Sequence, residues 1–232
     1  MGWGVIGIKQ NGKAAPAAVK AAPDYKKYIG LGLIPLAFFA VEAFGWVFLR
    51  GSTGTRWPLV FGLLWTVILS AVVLGMPAKA GRIVFGLVYG LCAIYAVVET
   101  GYYILFKEMM WLSDFRYASE GSDYFSVLLS YPIHWWLGIL VLIGLGVAAV
   151  WLFPRGKYNW KQTVAAIVLF ALAGSCAYQL PYDQFSQDKD VKFARSDYGR
   201  MQSLEAAYEN LFNTHRLYQV CGLYQTFWKD IY

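Results

Sequence analysis

Five uninterrupted apolar windows dominate the sequence: Gly30–Leu49, Trp57–Met76, Ile83–Phe106, Trp135–Phe153 and Thr163–Leu180. Each holds roughly 18 to 24 residues, the length at which a helix rising about 1.5 Å per residue crosses about 30 Å of hydrocarbon. Inside hydrocarbon no water can bond a free peptide group, so a spanning segment is either a helix or a strand of a closed barrel. A barrel would show segments of about ten residues alternating apolar and polar, whereas these windows are apolar on every side. The expectation is therefore an all-α, polytopic membrane protein with five transmembrane helices and extracytoplasmic membrane-proximal helices after them. Composition agrees, since 58% of the 232 residues are hydrophobic, 15% are charged and the mean hydropathy is +0.44. Those values exclude a soluble domain, a disordered chain and a collagen-like one.

Basic residues set the orientation, because Lys and Arg in short loops are retained on the cytoplasmic side. With the N-terminus inside, the tail and inner loops hold ten of them: Lys9, Lys13, Lys20, Lys26, Lys27, Lys79, Arg82, Arg155, Lys157 and Lys161. The outer loops hold only Arg50, Arg56, Lys107 and Arg116. The chain then divides into a cytoplasmic tail (1–29), a five-helix membrane domain (30–180) and an extracytoplasmic segment (181–232). Lys13–Lys27 reads as a flexible leader, and the tail is too long before the first apolar run for a secretory signal. The formal charge of +6 is mainly this topology signal. No basic stripe interleaved with stacking aromatics exists for nucleic acid, and attraction to anionic inner-leaflet lipid follows instead.

The three cysteines, Cys92, Cys176 and Cys221, and the two histidines, His134 and His215, make no CxxC or zinc spacing. A Cys176–Cys221 bridge is chemically allowed on an oxidising face but nothing specifies it. Glu42 and Glu99 are more informative. They are the ionisable residues well inside the windows, and each costs about 2.5 to 3.5 kcal/mol at mid-bilayer, so each must face protein or water. At 1.5 Å per residue Glu42 lies about 18 Å and Glu99 about 24 Å from the inner edge, both in the outer half. Near that level stand Lys107, Trp111, Asp114, Arg116, Tyr117, His134, Trp135 and Trp136. One reading is an aromatic belt anchoring helices at the headgroups. The other is a lipid-headgroup cavity built from Glu42, Glu99, Asp114, Arg116 and His134, with Arg116 pairing a phosphate. Proton transport is disfavoured, since the spans show no inverted repeat, no pair of half-helices and no acidic ladder. Gly86 and Gly90, and Gly138, Gly144 and Gly146, are expected to pack helices closely.

The loop from Lys107 to Ile133 exceeds a minimal connector, and Asp123–Leu129 within it is a short amphipathic stretch suited to the interface. Ser203–Phe212 has helical spacing with Ser203 as cap. Beyond it, Arg216-Leu217-Tyr218-Gln219-Val220-Cys221-Gly222-Leu223-Tyr224-Gln225 reads as a helix that stops at Gly222 and a second apolar stretch that begins there. With five spans, an outside C-terminus and the aromatic, acidic loop Phe106–Phe115, this segment resembles the membrane-proximal region of the lipoteichoic-acid synthase family. These are the sulfatase-like phosphoglycerol and phosphoethanolamine transferases of bacterial envelopes.

The resemblance covers about residues 28 to 232 and implies a parent enzyme that moves a phosphoglycerol-type headgroup from phospholipid to an envelope glycopolymer or glycolipid. In the family, an outward-facing domain with a threonine nucleophile and a divalent metal, Mn or Mg, does the chemistry. No residue of this chain matches the threonine or the metal ligands, so none is assigned a catalytic or metal role. The expected partners are membrane lipid, anionic phospholipid included, the missing catalytic domain and a second copy in a homo-oligomer. Residues Ser203–Tyr232 are expected to dock on the outer membrane surface. The competing reading is a complete, non-enzymatic membrane scaffold or assembly partner.

Overall fold

Proline precedes two of the helices, and a left-handed residue ends two. In the computed structural model, residues 25–49, 57–110, 127, 130–154, 160–185 and 214–231 are described. They form α1 (Tyr25–Leu49), α2 (Trp57–Leu74), α3 (Ala78–Phe106), α4 (Ile133–Trp151), α5 (Trp160–Phe185), α6 (Thr214–Cys221) and α7 (Leu223–Ile231), with no strand among the described residues. Pro77 and Pro132 immediately precede α3 and α4, where a missing N–H costs nothing. Lys107 ends α3 in the left-handed region, φ 61, with its N–H bonded to Tyr103 O at 2.9 Å. Pro35 lies within α1, where packed neighbours let a membrane helix tolerate it.

Five helices, the segments Tyr28–Leu49, Trp57–Leu74, Ala78–Phe106, Ile133–Trp151 and Trp160–Leu180, are long and apolar enough to span a bilayer, which makes this a multi-pass membrane protein. Four helices start before the windows read from hydropathy: α1 at Tyr25, α3 at Ala78, α4 at Ile133 and α5 at Trp160. The added turns of α3 and α5 carry Lys79, Arg82 and Lys161, because helical hydrogen bonding does not stop where hydrocarbon does and a long basic side chain can extend toward the headgroups.

Contacts between helix ends show the spans alternating in direction. At one end, here the lower, Gly30 of α1 meets Leu152 and Pro154 after α4, Gly81 of α3 faces Phe153, and Thr163 Oγ1 of α5 donates to Gly75 O at 2.7 Å. In the upper half Glu42 meets Gly62, and Gly138 takes the Phe44 ring. The core between α1, α3 and α4 is aromatic. Phe38 meets Phe85 edge-on at 5.4 Å, Phe85 stacks on Tyr89 at 5.3 Å, and the Tyr89 hydroxyl donates to Leu142 O at 2.7 Å. Such pairs add about 0.5 to 1.5 kcal/mol each beyond area burial. α5 leans on α2 through Ile68, Ala173 and Ala177, and turns Ile167, Phe170 and Leu172 outward as a lipid-facing surface.

The C-terminal pair departs from expectation. Instead of lying on the surface, α6 and α7 are packed into the bundle against α1 and α2, and Leu217, Cys221 and Leu223 are 0% exposed. They are two half-helices broken at Gly222, φ 80, a conformation that L side chains rarely adopt. The spans hold no such break, so the discontinuity sits beyond the fifth of them. All three cysteines are free, Cys221 being buried and Cys176 exposed. The 1–24 leader, the Ser203–Phe212 helix and all of Asp123–Leu129 except Val127 fall outside the described residues.

Candidate functional site

Glu42 faces α2 from the upper half of α1. Opposite it stands Gly62, where an added Cβ would come within 2.6 Å of Glu42 Cγ, so only glycine leaves room for the carboxylate to turn inward. The carboxylate then meets the start of α7. Leu223 N–H donates to Oε1 at 2.8 Å and Tyr224 N–H donates to Oε2 at 3.2 Å. These are first-turn donors without partners inside their own helix, at the end where the helix dipole is positive. A buried carboxyl group and two orphan donors therefore satisfy one another across 181 positions of sequence. Gly222 completes the fit, because a Cβ there would run into Oε1.

Further bonds fix α7 around that point. The Tyr224 hydroxyl donates to Phe38 O at 2.6 Å, and Trp65 Nε1 donates to Gln225 Oε1 at 2.7 Å. Gln225 Nε2 donates to Ala177 O of α5 at 3.4 Å, and Phe227 packs on Tyr95 of α3 with ring centroids 4.4 Å apart. The latch thus reaches α1, α2, α3 and α5. Burial, with Glu42 nearby, pushes the Tyr218 and Tyr224 phenols and the Cys221 thiol well above their ordinary ranges, so all three stay neutral and Cys221 is no thiolate nucleophile.

Glu99 does different work. Fully buried near the upper end of α3, it accepts the Met110 N–H at 3.2 Å through Oε2 and so holds the chain as it turns back after Lys107. Beside it the Trp135 Nε1–H donates to Thr100 Oγ1 at 2.9 Å and the Tyr131 hydroxyl donates to Gly101 O at 2.6 Å, tying α3 to the start of α4. His134 is exposed and stacks flat on Phe48, 5.3 Å between centroids. Asp114 and Arg116 lie outside the described residues.

Of the residues expected to share a headgroup cavity, Glu42 and Glu99 each grip main-chain N–H groups of different segments, and His134 stacks on a ring. Trp135, expected in an aromatic belt, is buried in the bundle and closes a specific hydrogen bond to Thr100. Gly222 was legible as a helix break. The Glu42–Leu223–Tyr224 contact was not, because backbone donors leave no mark in a sequence. Among the described residues no group of three or more potential metal ligands forms. The geometry is that of a latch, able to seat a segment. No known family, no curated protein and no solved structure matches the chain.

Proposed function

We propose that this chain is the membrane domain of an envelope transferase of the lipoteichoic-acid-synthase type, and that it seats and orients a catalytic domain following residue 232. Its substrate class would be a phosphoglycerol-like headgroup moved from phospholipid to a glycopolymer or glycolipid. The latch carries this reading. The segment that bears the resemblance, Arg216–Gln225, is the one that Glu42 and Trp65 grip, at Leu223, Tyr224 and Gln225. A mere tether gains nothing from a carboxylate costing about 2.5 to 3.5 kcal/mol to place in the membrane, whereas a mount that must hold one orientation does. The basic residues Lys79, Arg82 and Lys161 at the lower end favour a cytoplasmic side there, with the upper end then facing out of a bacterial cell membrane.

The gene past the codon for Tyr232 is expected to run on into a threonine-centred site for a divalent metal. The encoded protein, in vesicles of phosphatidylglycerol and a glycolipid acceptor with Mn, is expected to release diacylglycerol as the phosphoglycerol group passes to an acceptor hydroxyl. Glu42→Leu should slow release without abolishing metal binding. A stop codon there, or no release, would leave a scaffold in place of a transferase.

A further inference from the structure

A second feature has its charged mouth at the opposite end of the bundle and stands on the fold alone. Between α3 and α4 a cavity of about 740 Å³ opens sideways toward the lipid. Gly86 and Gly90 form its floor, and an added Cβ at either would meet nothing within 4 Å. These glycines, expected from their spacing to pack a neighbouring helix, instead leave space. By contrast Gly146 in the same cavity is packed against the Tyr89 ring.

Arg82 is the charged residue lining this cavity, and it stands at the lower mouth with Trp151. Its Nε is enclosed and has no hydrogen-bond acceptor among the described residues. Guanidinium is a planar fork suited to phosphate, and a donor held away from water without an acceptor costs about 1 to 3 kcal/mol. Trp151, 73% exposed on the last turn of α4, is where an interfacial indole belongs and marks the headgroup level. The carboxylates of described side chains, Glu42, Glu99 and Glu108, all belong to the upper half, whereas Lys79 and Lys161 share the lower end with Arg82. A headgroup bearing its own ammonium would meet like charge there, and an anionic one would not. From Arg82 to Val98 the groove runs about 24 Å at 1.5 Å per residue, longer than the roughly 15 Å of half a bilayer core.

The structure assigns this groove to a single anionic phospholipid of the lower leaflet, its phosphate on Arg82 and one acyl chain lying over Gly86 and Gly90. Phosphatidylglycerol and phosphatidylcholine, each added to the purified full chain in micelles, test it by native mass spectrometry. Wild type should retain phosphatidylglycerol at least fivefold more than phosphatidylcholine. Arg82→Gln should erase that preference, and Gly90→Leu should cut retention of both lipids at least fivefold. A phosphatidylglycerol with a diazirine in its acyl tail should crosslink to peptides of α3 and α4 and lose them with Arg82→Gln, a readout that does not depend on how Gly90→Leu folds. Unchanged retention in Arg82→Gln, or crosslinks spread evenly over all spans, would overturn the assignment. So would displacement of the lipid by millimolar inorganic phosphate, which would make Arg82 a soluble-anion site.

Discussion

At the residue scale, Glu42 inverts the usual rule for a carboxylate in a span. It is 3% exposed and stable because two N–H groups of another helix need an acceptor as much as it needs donors. Removing it strands both donors at a cost of about 1 to 3 kcal/mol each. Glu42→Leu should therefore destabilise the protein by about 3 kcal/mol or more, and Glu42→Gln, which keeps one acceptor oxygen, by about half as much, in denaturant titrations of the protein in micelles. Gly222→Ala should also destabilise, because φ 80 strains any side chain and the new methyl would strike Oε1. If Glu42→Leu were as stable as wild type, the latch would contribute nothing and α7 would be held by its apolar face alone.

At the scale of elements, α6 and α7 are eight and nine residues long, too short to be stable helices by themselves in water, so their order derives from docking. Amide hydrogen exchange at Leu223 and Tyr224 should accordingly be as slow as in the middle of α1, and should accelerate together in Glu42→Leu. A maleimide should label exposed Cys176 well before buried Cys221, and Glu42→Leu should narrow that gap. The same elements mark how far sequence carries. Helix type and number were legible because hydrocarbon penalises every alternative, and Glu42 and Glu99 were legible as protein-facing because a bare carboxylate in lipid is costly. Their partners were hidden: Leu223, Tyr224 and Met110 donate through main chain, which every residue carries. Gly86 and Gly90 were ambiguous for a related reason, since two glycines four apart look the same whether they pack a helix or, as within this chain, face open space.

On the scale of the whole molecule, the bundle and the C-terminal pair stabilise each other, and this makes one substitution change sign. With α6 and α7 docked, the Glu42 carboxylate has its donors and Phe61 packs with Leu217 and Cys221 in a buried cluster. Ending the chain at Asn213 would uncover that cluster and leave the carboxylate without either N–H, in a setting where an unpaired charge costs about 2.5 to 3.5 kcal/mol. The shortened protein should unfold at a lower temperature than the full chain. Glu42→Leu, destabilising in the full chain, should then stabilise the shortened one, because it removes an unpaired charge and breaks no bond. The two melting temperatures measured in one detergent, with and without the substitution, form a double-mutant cycle whose interaction energy reports the Glu42–α7 coupling. A cycle that closes to within about 0.5 kcal/mol would mean that the bundle folds indifferent to its C-terminal helices, and the seat would have nothing to hold.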